Sequence, residues 1–137
     1  MSKRLVALLV LICAALSLAG CNKDSEINST MAAIHEVTEE VVKKVNGSPT
    51  VAGVDDAQKY FDSKKADLKS KWDGIKGARG FQVSDDTKKK MAESFTTDYT
   101  NIKTLEIKHM SAAMEDAAFK SKLEKLVKDW EDTFKIE

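Results

Sequence analysis

From Phe81 to Glu137 the chain contains neither glycine nor proline. Over that stretch, and over most of what precedes it, apolar residues recur at three- and four-residue steps. Such a run carries no strong helix breaker, and its period fits one face of an α-helix rather than the alternation of a strand. Met91, Phe95, Tyr99, Ile102 and Leu105 form one such stripe, and Phe119, Leu123, Leu126, Trp130 and Phe134 form another. Ser84 before Asp85 and Asp86 supplies an N-cap and acids in the first turn. The two stripes are divided only weakly. Glu115-Asp116 is the expected break, with Asp116 capping a last helix. The alternative is one rod from Asp85 to Phe134, about 75 Å long, whose stripe would stay exposed unless it dimerised.

Upstream, Met31, Ile34, Val37, Val41, Val42 and Val45 make a stripe between Ser29 and Val45. Asn46-Gly47-Ser48-Pro49 ends it: Gly47 suits a left-handed cap, and Pro49 cannot continue a helix. A further pattern starts near Asp55, with Ala57, Phe61, Leu68, Trp72 and Ile75 on one face. Gly74, Gly77 and Gly80 mark its end. Lys64 and Lys65 interrupt that face, where lysine stems can cover apolar surface while their heads stay wet. No alternating segment of useful length appears. The expected fold is all-α: a small antiparallel bundle of three to four helices with their stripes turned inward.

The first 20 residues differ from the rest. Ser2-Lys3-Arg4 is basic, and Leu5 to Leu16 is apolar over twelve residues. A helix needs about 20 to span a bilayer, whereas twelve suits the apolar centre of an export signal. Leu18-Ala19-Gly20-Cys21 follows. An aliphatic residue, two small ones and a cysteine at this distance resemble the lipobox of bacterial lipoproteins. The small residues let a membrane peptidase approach the backbone, and the thiol takes a diacylglyceryl group. The resemblance implies cleavage between Gly20 and Cys21, lipid attachment at Cys21, and anchoring by two or three acyl chains, since one alone holds marginally. It covers the targeting segment only.

The expected organisation is therefore a signal peptide over 1–20, a lipidated N-terminus and tether over 21–28, and a helical domain over 29–137. Seven extended residues of tether would reach about 25 Å. Asn22 is not the aspartate that resembles an inner-membrane retention signal, which favours the periplasmic face of an outer membrane if the source has two membranes.

Removing the first 20 of 137 residues leaves 117, with 20 basic and 22 acidic side chains, a net charge of −2. That balance offers no footprint for nucleic acid. Of two cysteines, the resemblance implies that Cys13 would leave with the signal and Cys21 would carry lipid. The domain then lacks a disulfide framework, a cysteine-based zinc site and a cysteine nucleophile.

The candidate chemistry is sparse. Met31 and His35 share a helix face, as do Met110 and Met114, with His109 beside them. Thioether and imidazole could hold copper(I) if the two clusters met in space. The plainer reading puts the methionines in core gaps. Glu39-Glu40, Asp55-Asp56, Asp85-Asp86 and Glu115-Asp116 are adjacent carboxylates. Neighbours in sequence do not face each other on a helix, and three of the four pairs sit at expected helix starts. The Glu-x-x-His spacing of bundle di-metal sites occurs once, Glu106 to His109, where two are needed. No Gly-x-Ser-x-Gly is present, and Gly77-Ala78-Arg79-Gly80 is too short for a phosphate loop. Lys88-Lys89-Lys90 reads as a solvated face, and Trp72 and Trp130 read as core anchors. The chain is accordingly expected to be no enzyme and to use no cofactor. Its expected partners are membrane lipid through Cys21 and an envelope protein. A bundle that binds metal or a small ligand through His35, His109, Met31, Met110 and Met114 is the alternative.

Overall fold

A computed structural model describes residues 3–78 and 83–135, with side chains from Lys23 onward. The helices are α1 (Lys3–Gly47), α2 (Val51–Ile75), α3 (Asp85–Lys108), α4 (Met110–Glu115) and α5 (Ala117–Thr133), with no strand among the described residues. Arg79 and Gly80 lie outside the described residues, as does the side chain of Cys21, so the expected cleavage between Gly20 and Cys21 and the lipid site fall outside what is described.

The helix ends follow from local chemistry. Thr50 adopts extended backbone and its hydroxyl accepts the Gly53 N–H at 3.2 Å, so α2 starts at Val51, earlier than Asp55 suggests. Gly53 is required there: a Cβ would fall 1.8 Å from the Ser48 carbonyl oxygen, because the connecting loop folds back on the first turn. Gly47 is not a left-handed cap. It is the last residue of α1, its φ is not in the positive region, and a Cβ on it would meet nothing within 4 Å. Ser84 caps α3 by accepting the Thr87 N–H at 3.2 Å. Asp116 breaks the long C-terminal run as expected, its carboxylate accepting the N–H groups of Ala118 at 2.9 Å and Phe119 at 3.0 Å. A second break falls at His109 (φ −105°, ψ 18°), which leaves α4 as a six-residue link.

The segment expected to be a tether is helical instead. α1 continues through Lys23–Asn28, and Ile27 is buried in the core. Asp24 accepts the Ser84 N–H at 3.0 Å, tying this part of α1 to the start of α3 and holding the Asp24 carboxyl below its usual range. Ile27 stands seven residues before Ile34, two turns up the same stripe, so its burial prolongs the apolar face of α1.

α1 lies against α2 and α3, and α5 lies against the same two. α1 thus faces α5 across the core, and α2 faces α3. Consecutive long helices alternate in direction, but two neighbouring pairs run parallel. Asp24 meets Ser84, His35 meets Asp98, Glu39 meets Asn101 and Asn46 meets His109, so the numbering of α1 and α3 climbs together. Asp55 meets Lys122, Lys65 meets Asp129 and Trp72 meets Lys135, so α2 and α5 also run parallel. α2 and α3, consecutive in the chain, therefore stand at opposite corners of the bundle.

Phe61, Trp72, Phe95, Trp130 and Phe134 form one aromatic cluster in the core, and Phe119 is buried at the His109 end. Trp72 stacks on Phe95 with ring centres 5.3 Å apart, spanning the α2–α3 diagonal. Trp130 packs edge-on to Phe134 at 4.9 Å, and its N–H donates to the Thr38 hydroxyl at 2.9 Å across the other diagonal. Both tryptophans are fully buried, as their stripes imply. On α3 the inward register differs from the sequence reading. Asp98 is buried, and Tyr99 is 42% exposed.

Candidate interaction surface

Among the described residues, the three most exposed large apolar side chains stand at one end of the bundle. Ile107 is 74% exposed, Met110 59% and Met114 81%. The exposure of the two methionines follows from the two breaks. His109 and Asp116 confine α4 to six residues, none of them buried, with only Ala112 and Ala113 packed against the core. Met110 and Met114 are one turn apart on the side that the alanines leave outward. A groove of about 580 Å³ runs between this short helix and α5, lined by Glu106, Met110, Ala113, Met114, Lys120 and Leu123 among others. Its floor is apolar and its rim is charged. Glu106 is held by Lys103 at 3.2 Å, and Lys120 faces Glu124 at 3.8 Å.

The two thioether–imidazole clusters of the alternative reading do not meet. Met31 is in the core, and His35 Nδ1 donates to Asp98 Oδ1 at 2.6 Å. His109 Nε2 donates to Asn46 Oδ1 at 2.9 Å, with its ring edge-on to Phe119. His35 and Asn46 are 11 residues apart on α1, so the two histidine levels are separated by about 16 Å along the bundle. Among the described residues, no three His, Cys, Asp or Glu side chains come together as a metal-ligand group. Met110 and Met114 do share a face, but it opens to solvent.

The two histidines differ in charge preference. The Asp98 hydrogen bond raises His35 above its ordinary value of 6.5, against some desolvation. Burial, with Lys108 nearby, lowers His109. Asp98 is pushed above the usual carboxylate range by burial, which outweighs its bond to His35. Sequence reasoning passed over Asp98. The signal lay in its register, since positions 91, 95, 98, 102 and 105 keep the same three- and four-residue steps as the stripe read through Tyr99.

The adjacent carboxylates have separate partners rather than each other. Glu39 accepts from Asn101, Glu40 pairs with Lys43, Asp55 with Lys122, Asp85 with Lys88 and Asp86 with Lys90. Lys88, Lys89 and Lys90 sit exposed on α3, each facing an acid three or four residues away. A larger depression of about 690 Å³ borders α1, lined by Glu36, Glu39, Glu40, Lys43 and Lys44 with Tyr60. Its wall is charged and internally paired, whereas the groove at α4 has the apolar floor that partner binding uses.

Among the described residues, no helix is long and apolar enough to cross a membrane. Compared with known families, curated proteins and solved structures, the chain matches none of them.

Proposed function

We propose that this chain is a bacterial lipoprotein, anchored through acylated Cys21, whose bundle offers the groove at α4 to an envelope protein. The exposure of Met110 and Met114, both of which line that groove, carries the second half of the reading. An isolated exposed leucine or methionine means little, but a contiguous apolar surface rimmed by charge is a feature of binding sites. Methionine suits such a surface because its unbranched thioether repacks around different partners. The occupant that fits is the apolar face of a helix laid along α4 and α5.

The placement of the groove agrees with an anchor at Cys21. Asn46, beside His109 and α4, is 23 residues along α1 from Lys23, about 35 Å of helix. A membrane attached at Cys21 would leave the groove at the outer end of the bundle. Asn22 favours the periplasmic face of an outer membrane where the source has two membranes.

Labelled palmitate fed to cells tests the anchor. The mature protein should carry label that is lost in Cys21→Ser, and an unlabelled native protein would contradict it. Met110→Glu with Met114→Glu tests the groove. Folding should be unchanged, since both residues are solvent-facing, while recovery of a partner crosslinked in the parent should fall at least tenfold.

A further inference from the structure

We propose that His35 and Asp98 form a proton-operated clasp between α1 and α3, closed in acid and loosened as pH rises. Asp98 is fully buried, and one of its carboxylate oxygens has no hydrogen-bond partner among the described residues. The other takes the 2.6 Å bond from His35, whose side chain is 47% exposed and in reach of solvent protons. A buried carboxylate is expensive unless it is paired with a positive group, so the state of the imidazole decides what Asp98 costs the fold.

The neighbours sharpen this dependence. Glu39, one turn beyond His35 on α1, acts on both members of the pair and opposes a second negative charge there. On α3, Asn101 is neutral and engages Glu39 at 3.0 Å. Asp98 on α3 and Glu39 on α1 are the charged groups that act on His35, and His35 and Glu39 are those that act on Asp98; α2 and α5 contribute none among the described residues. With the imidazole protonated, one positive charge stands beside two carboxylates. With it neutral, Asp98 is a buried carboxylate facing Glu39 with no cation, and the contact between α1 and α3 weakens. Both members of the pair are displaced upward, so the closed clasp holds its proton more firmly than the separated groups do.

The sign follows from linkage. His35 is raised in the fold, so its contribution is complete below its ordinary value of 6.5 and disappears as pH climbs through the folded value. The test is an NMR titration of the full chain in detergent micelles, following the ring signals of His35 and His109 and amide exchange on α1 and α3. His35 should titrate above 6.5, and amides around His35 and Asp98 should lose protection with the same midpoint. The loss should approach about tenfold in the opening constant for each pH unit of displacement. Asp98→Asn should abolish both the displaced midpoint and the pH-dependent opening, and His109→Gln should leave them in place. A His35 that titrates at or below its ordinary value, or protection that does not follow its titration, overturns the proposal. The parent titration decides this even if Asp98→Asn fails to fold.

Discussion

The indole N–H of Trp130 on α5 donates to the hydroxyl of Thr38 on α1 at 2.9 Å, and that hydroxyl donates in turn to the Ile34 carbonyl at 2.8 Å. Both side chains are fully buried, and the bond spans helices that face each other across the core. Thr38→Val preserves shape but orphans the indole donor. It should cost about 1–3 kcal/mol in urea unfolding, and Thr38→Ser, which keeps the hydroxyl, should cost less.

The glycines at 47 and 53 should respond oppositely to alanine. At Gly53 the added Cβ would collide with the backbone oxygen of Ser48, so the loop or the first turn of α2 must move. A loss of about 1–3 kcal/mol is expected in the same unfolding assay. At Gly47 the space is open and the backbone is helical, and alanine should stabilise by about 0.5 kcal/mol through reduced freedom of the unfolded chain.

Asp116 ends α4 and starts α5 with one carboxylate. Asp116→Ala removes the acceptor of two N–H groups and should lower stability by about 1 kcal/mol, whereas Asp116→Asn should cost less. If α4 and α5 merged into one helix in Asp116→Ala, circular dichroism would show no loss of helix, and Met114 would change its exposure to oxidation.

His109 supplies a pH dependence of the opposite sign to His35. Its folded value is depressed by burial, so its contribution is complete above 6.5 and is lost as pH falls through the folded value. His109→Gln should flatten the acid side of a plot of thermal midpoint against pH. Asn46 can still serve as acceptor for the glutamine amide.

Much of the bundle was legible because its signals are local. The α2 stripe Ala57, Phe61, Leu68, Trp72 and Ile75 is wholly buried, and Ser84 and Asp116 cap where their chemistry indicates. Three features were not, for different reasons. Lys23–Asn28 looked like a tether because one isoleucine among polar residues gives no period, yet Ile27 finds a place in a core formed by distant segments. Tyr99 and Asp98 are adjacent, and an aromatic residue is a natural choice for a stripe until the packing turns the acid inward. The parallel pairing of α1 with α3 depends on which helices become neighbours in the bundle, and no single helix records that. The groove was half visible: Met110 and Met114 share a face, but their exposure comes from the bend at His109, which has no glycine or proline to announce it.

A photoreactive amino acid placed at Met114 in the growing cell, with the same group at Thr97 on the exposed face of α3, tests the central claim most directly. The account predicts one discrete crosslinked protein from position 114, none from 97, and its disappearance when Met110→Glu is added. No adduct from 114, or the same adducts from both positions, would contradict a docking groove at the outer end of the bundle.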